Sequence, residues 1–208
     1  MRKGMPLEHY FSAQSKTSHD LKEMHATINN IELKFFTSNA VFSKQQVDYG
    51  SQVLIESILA NEHPFSGKLL DVGCGYGTLG LFFAKAYPDL ICHLVDVNER
   101  ALDLSRRNAQ VNQLSDRVHI WLSDQLSAVT ETYQVVVTNP PIRAGKSVVH
   151  GIYEGAYRVL EPGGRLYIVI QKKQGAPSSK AALEALFGSC RVVNKQSGYH
   201  ILCATKGA

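Results

Sequence analysis

From about residue 67 onward the chain alternates short apolar runs with longer amphipathic ones. Short apolar runs bounded by turn formers read as buried strands, and apolar positions recurring every three to four residues read as helices. Strands are predicted over residues 68–72, 91–95, 118–122, 134–138, 165–170, 190–194 and 199–203. Helices are predicted over 78–87, 99–111, 147–160 and 179–187, with a short irregular stretch at 125–131. Glu161-Pro162-Gly163-Gly164 is expected to close the third of these helices, and residues 172–179 read as a loop rich in turn formers and positive charge. Such alternation specifies an α/β domain with a mostly parallel sheet. The last two strands are separated only by Lys195-Gln196-Ser197-Gly198, whereas a parallel crossover needs a dozen or more residues. The expected fold is therefore a doubly wound, seven-stranded sheet with an antiparallel last strand and helices on both faces.

Upstream, residues 26–36 read as a hairpin turning at Asn29-Asn30, and 44–59 carry helical periodicity through Val47, Leu54, Ile55 and Ile58. Residues 1–43 are expected to form a small N-terminal extension packed on a main domain of residues 44–208.

The first strand of that domain runs into Asp71-Val72-Gly73-Cys74-Gly75-Tyr76-Gly77-Thr78 and directly into an apolar helix. Glycines there let backbone approach a ligand closely, and the helix start offers free N–H groups, so a nucleotide-like ligand is indicated in a Rossmann-like fold. Gly75, Gly77 and Gly80 also satisfy the dinucleotide pattern, which leaves a dehydrogenase as a rival; that rival predicts NADH binding and a parallel last strand. Asp71 precedes the glycines, and Asp96 ends the second strand about 20 residues past Gly77, where a carboxylate can take two ribose hydroxyls. Asp124 ends the third strand and could meet the amine of an adenine. Each of these acids has a plainer reading as a loop or helix cap.

Composition narrows the classes. The 208 residues, 44% hydrophobic and 19% charged, suit one globular domain. A net charge of +4 permits an anionic partner without specifying one. No run of about 18 apolar residues is present and the start of the chain leads into polar sequence, so neither a membrane span nor an export signal is expected and the cytoplasm is the expected location. Cys74, Cys92, Cys190 and Cys203 show no Cys-x-x-Cys spacing and are expected as buried thiols. No local spacing proposes a metal, since a triad would need His25, His63 and His150 to converge.

The most specific segment is Thr138-Asn139-Pro140-Pro141-Ile142-Arg143-Ala144-Gly145-Lys146, at the carboxyl end of the fourth strand, where open α/β sheets bind ligands. Two prolines are expected to hold the chain extended there, aiming the Asn139 amide and the proline carbonyls in one direction.

Together, the glycine loop, Asp96, Asp124, Asn139-Pro140-Pro141-Ile142 and the terminal hairpin resemble the class I S-adenosylmethionine-dependent methyltransferases. Residues 39–44 and 47–51, with 139–146 and 169–175, are similar to the small-subunit ribosomal RNA guanine-N2 methyltransferases, the RsmC type, in a single-domain form. The resemblance implies S-adenosyl-L-methionine as cofactor, S-adenosyl-L-homocysteine as product, and ribosomal RNA or the small ribosomal subunit as partner. It implies that Gly73, Cys74, Gly75 and Gly77 line the methionine and ribose part of the cofactor. It further gives Asp71, Asp96 and Val97, Asp124 and Gln125, and Asn139 to the cofactor site. Phe42 and Ser43 would close over the methionine end, and Asp48 would reach the cofactor ammonium. Asn139 with the carbonyl of Pro140, beside Pro141 and Ile142, would hold the target amine, since Asn-Pro-Pro-apolar belongs to enzymes that methylate planar amino nitrogens. Arg143, Lys146, Lys172, Lys173 and Arg165 are expected at the rim, facing phosphates. A protein glutamine or small-molecule N-methyltransferase, and a catalytically silent RNA-binding assembly factor, are the alternatives.

Overall fold

The computed structural model describes residues 21–38 and 46–207. In chain order the elements are β1 (Leu21–Ile28), β2 (Ile31–Ser38), α1 (Tyr49–Asn61), β3 (Gly67–Val72), α2 (Thr78–Ala86), β4 (Leu90–Asp96) and α3 (Glu99–Val111). There follow β5 (Val118–Leu122), β6 (Tyr133–Thr138), α4 (Lys146–Val159), β7 (Leu160–Gln171), α5 (Ala176–Phe187), β8 (Cys190–Gln196) and β9 (Tyr199–Thr205). Seven strands form one sheet in the order β5-β4-β3-β6-β7-β9-β8, and only β9 runs against the rest. The antiparallel strand follows from the short connection at 195–198, and it removes the all-parallel topology that a dehydrogenase predicts.

Alternation along each strand divides the core into two layers. Leu69, Cys92, Leu94, Val135, Val137 and Val169 face α1, α2 and α3. Leu70, Val72, Val136, Leu166, Ile168 and Leu202 face α4 and α5. Beyond β3 on this second face the chain between β5 and β6 makes turns rather than a helix, as expected for the irregular 125–131 stretch. His93, His119 and Trp121, with Lys68, Ile91 and Glu131, therefore line an open groove of about 470 Å³. Its His93 shares a hydrogen bond with Tyr133 Oη at 2.8 Å, and burial holds the imidazole below its ordinary pKa.

The hairpin β1–β2 turns at Asn29 and Asn30, with φ of 47° and 63°. Two left-handed residues make the turn that matches strand twist, and asparagine tolerates that conformation better than most side chains. Ile28, Leu33 and Phe35 bury against the α2 side of the core, with Phe35 5.5 Å from Tyr76 and 5.9 Å from Phe82. Helix α3 stitches the hairpin down: Asn108 Oδ1 accepts from Phe36 N at 2.7 Å while its Nδ2 donates to Phe36 O and Tyr76 O.

One expectation is corrected. The 172–179 segment is not a loop. Lys172–Gln174 forms a single 3-10 turn, Gly175 takes φ 103°, and α5 begins at Ala176 with a proline in its first turn. That proline is tolerated because the first helical N–H groups have no intrahelical acceptor. The helix before 161–164 closes as expected, α4 ending at Val159. Extended backbone starts at Leu160, with a register irregularity opposite Tyr133–Val135, and Gly163 N and Gly164 O pair with Lys206.

Candidate functional site

The order of the sheet reverses between β3 and β6: the chain proceeds outward from β3 through β4 to β5, and from β6 the other way. Carboxyl ends of strands at such a switch point leave a crevice. The glycine loop follows β3 and Asn139 follows β6, so the topology puts the two most specific motifs of the sequence on either side of it. Thr138 Oγ1 donates to Val72 O at 2.8 Å and ties the two strand ends together.

The loop after β3 is held largely by backbone. Gly73 N and Cys74 N both donate to Val95 O, at 2.9 and 3.0 Å, and Ser105 Oγ donates to Gly75 O at 2.8 Å. Gly73 and Gly75 have φ of 71° and 58°, and a Cβ built on either meets nothing within 4 Å. These two glycines thus supply left-handed turns beside open space. Gly80 differs, because a Cβ there would lie 2.6 Å from Leu94 Cδ1. Its task is close packing of α2 on β4.

Asp96 closes the loop from the side. Its Oδ2 accepts from Gly75 N at 2.8 Å and its Oδ1 from Asn98 N at 2.9 Å. The next residue, Val97, is 70% exposed, and Ser123 N, just past β5, donates to Asp96 O at 3.0 Å. Asp124 is exposed beside them. Open space along glycine backbone, flanked by a carboxylate, an exposed apolar side chain and a second carboxylate, fits the donor and apolar surface of an S-adenosyl nucleoside: hydroxyls for Asp96, a ring face for Val97, an amine for Asp124. The residues that would hold that cofactor are therefore present.

Some expected contributors are placed differently. Asp71 is fully buried; its Oδ2 accepts from Gly80 N at 2.9 Å and its Oδ1 has no hydrogen-bond partner. Burial pushes its carboxyl up to about 7, against the pull of the Gly80 N–H and with the charge of Asp96 adding to the rise. Asp71 thus holds the first turn of α2 from within the core. Cys74 is buried with its Sγ 3.9 Å from Ser105 Oγ, which turns its side chain into the protein. Gln125, at φ 51°, lays its amide on α4, where a Cβ on Gly151 would lie 2.1 Å from Gln125 Oε1. Phe42 and Ser43 lie outside the described residues.

On the other side of the crevice, Asn139 is half-buried and Pro140 buried. The prolines do not keep the chain extended. Pro141, at φ −75° and ψ 78°, turns it so that Ile142 N donates back to Pro140 O at 2.9 Å, and Ile142–Ala144 continues as a 3-10 turn. This is an inverse γ-turn, available to proline because its fixed φ matches it. Asn139 Nδ2 donates to Asp48 Oδ2 at 2.7 Å and to Ser51 Oγ at 3.0 Å. Asp48 caps α1, accepting from Ser51 N at 3.0 Å. Sequence reasoning missed Ser51. The signal was there in Asp48-Tyr49-Gly50-Ser51, an N-cap followed by a small polar residue, but nothing local says that it faces Asn139.

Arg143, Lys146, Lys172 and Lys173 are exposed at this same end, after β6 and β7, and form no ion pair among the described residues. Arg165 does not join them. It sits toward the opposite end of β7, paired at 2.9 Å with Glu62, which lies just past the C-terminal end of α1. The capping Asp48 and Glu62 thus stand at the two ends of a 13-residue helix, about 20 Å apart at 1.5 Å per residue.

The family described as "Methyltransferase small domain" matches residues 32–203. The uncharacterized protein YbxB of Bacillus subtilis is 45% identical over 96% of this chain and 98% of its own length. Ribosomal RNA small subunit methyltransferase C of Vibrio parahaemolyticus is 32% identical over 89% of this chain. The solved 16S rRNA guanine-N2 methyltransferase (RsmC) of T. thermophilus, in complex with AdoMet and guanosine, is 26% identical, with a TM-score of 0.81 over 90% of this chain. The chain spans about half of those two proteins, 53% and 51% of their lengths. Among the described residues, no helix is long and apolar enough to cross a membrane.

Proposed function

The chain belongs to the methyltransferase small domain family of S-adenosylmethionine-dependent methyltransferases, and we propose that its acceptor is the exocyclic N2 amine of a guanine in 16S ribosomal RNA. One observation carries the choice of an amine: both hydrogens of the Asn139 amide are taken, by Asp48 Oδ2 and Ser51 Oγ, so among the described residues Oδ1 is the atom left to meet a substrate. An atom that can only accept selects a nucleophile that donates. Support for ribosomal RNA comes from relatives of that name and from the guanosine held by the T. thermophilus enzyme. That acceptor makes the cytoplasm the place of action.

An exocyclic guanine amine is a weak nucleophile because its lone pair is delocalised into the ring. Asn139 Oδ1 accepts one of its N–H bonds. The Pro140 carbonyl uses one lone pair on Ile142 N–H and has a second for the other N–H of the amine. Two acceptors on one side favour a pyramidal nitrogen with its lone pair aimed away from them, toward the glycine loop. Bound S-adenosylmethionine supplies the electrophilic methyl group. As positive charge grows on nitrogen, the two fixed carbonyl dipoles stabilise it, and no strong base is needed because the product cation is acidic. Ile142 gives the base an apolar flank, and Arg143, Lys146, Lys172 and Lys173 meet phosphates on either side.

The test is tritiated methyl transfer to unmodified 30S subunits, naked 16S RNA, total protein and DNA in parallel, with Asn139→Ala as control. Label on RNA that digests to N2-methylguanosine and disappears in the variant is the expected result. Label on protein glutamine instead would sink the RNA reading while keeping the amine.

A further inference from the structure

An asparagine amide can present its oxygen or its nitrogen, and which one Asn139 presents is decided by a helix that precedes it in the chain. Asp48 Oδ2, 91 residues away in sequence, lies 2.7 Å from Asn139 Nδ2, and Ser51 Oγ lies 3.0 Å from it. A carboxylate has no hydrogen to give, so turning the amide over would set oxygen against oxygen. Asp48 is itself fixed, because the same Oδ2 accepts from Ser51 N as the cap of α1. Gly50 lets the helix start sit this close: a Cβ there would lie 3.1 Å from Asp48 Oδ2 and 2.9 Å from Tyr199 Cε1.

We propose that Asp48 and Ser51 are positioning residues that lock the Asn139 amide with Oδ1 toward the acceptor, and so restrict the site to a hydrogen-donating nitrogen. This inference rests on the reading of Asn139 as holder of the amine. It gives Asp48 a task other than the cofactor-ammonium contact implied by family resemblance. The task needs a hydrogen-bond acceptor at position 48, not a charge. The side-chain oxygen of an asparagine substituted there can take the Asn139 and Ser51 hydrogens just as the carboxylate does, whereas it offers a cationic ammonium far less.

Asp48→Ala, Asp48→Asn, Ser51→Ala and the parent protein would be compared in three ways. S-adenosylmethionine affinity is read by calorimetry, kcat and KM on the RNA that the parent methylates, and the side-chain amide of Asn139 by ¹H–¹⁵N NMR. Asp48→Ala is expected to lower kcat about 10²-fold, the scale of a misplaced catalytic contact, with little change in cofactor affinity. Asp48→Asn restores most of that rate. Ser51→Ala, which keeps the helix cap, has a smaller effect on rate and shifts the Asn139 amide signals. Should Asp48→Ala fail to fold, the other two variants still decide. A large loss of rate in Asp48→Asn with weakened cofactor binding would by itself overturn the proposal in favour of a charge contact. So would unaltered kcat and amide signals in Ser51→Ala and Asp48→Asn together with full activity of Asp48→Ala. If the parent protein methylates no amine at all, the functional reading fails by itself, and the amide signals of Asn139 still judge the lock.

Discussion

The two sides of the crevice are built on different principles. On the β3 side, backbone sets most of the shape: Gly73 and Cys74 hang on Val95 O, and Asp96 receives Gly75 and Asn98. On the β6 side a single side chain, Asn139, is aimed by two others from α1 and its cap. Backbone positions are fixed once the strands pair, so the first half tolerates many side chains but few changes of backbone geometry. The second half depends on one amide and its partners. A cofactor common to a whole family needs a surface of the first kind, and choice of acceptor can then vary through a few side chains of the second.

The sharpest way to break this division is Asn139→Ala. Methyl transfer is expected to fall about 10²- to 10³-fold, the cost of removing one preorganised dipole, with cofactor affinity nearly unchanged by calorimetry. A parallel fall in cofactor affinity would erase the distinction between the sides. Asp96→Ala is the converse: cofactor dissociation constants should rise roughly 10- to 100-fold, as expected when a charge-assisted bond is removed, and saturating cofactor should recover much of the rate.

Asp71 tests the foundation of the β3 side. With its carboxyl pushed up to about 7 from 3.8, the folded protein binds this proton more tightly than the unfolded chain. Stability from this group is therefore greatest below about pH 4 and declines as pH rises to about 7, then levels. Asp71→Asn should abolish that decline, raising unfolding free energy at pH 8 by about 1–3 kcal/mol, the scale of an uncompensated buried polar group, and changing little at pH 4. Denaturant titrations at the two pH values check it. The smallest effect is expected at the rim: Lys172→Ala with Lys173→Ala should weaken RNA binding several-fold and lower the salt slope by roughly one for each phosphate no longer neutralised.

Much of this molecule was legible in its sequence, and the reasons are local. Apolar alternation locates all seven strands of the large sheet, because buried strands leave few other places for Val, Ile and Leu. The short 195–198 connection fixes β9 as antiparallel, and Asn29-Asn30 marks the hairpin. The misjudged parts are places where local signals have two outcomes. Pro141 stiffens the chain without saying whether it extends or turns, and the proline near Gly175 breaks a loop or opens a helix. Arg165 carries the same charge as Lys172 and Lys173 but stands toward the other end of β7, bound to Glu62. Basic residues close together in sequence do not reveal which end of a strand each one occupies.

The sequence alone determined the order of strands and helices, the glycine loop with Asp96 after it, and the position of Asn139 at a strand end, since each depends on residues close together in the chain. Only the tertiary structure decided which way the Asn139 amide faces, because that follows from Asp48 and Ser51 arriving from 91 and 88 residues away. It likewise decided that Asp71 is sealed in the core against the start of α2 and that Gln125 lies on α4. Hydrogen bonds between distant segments are set by how helices dock on the sheet, and no spacing along the chain records that docking.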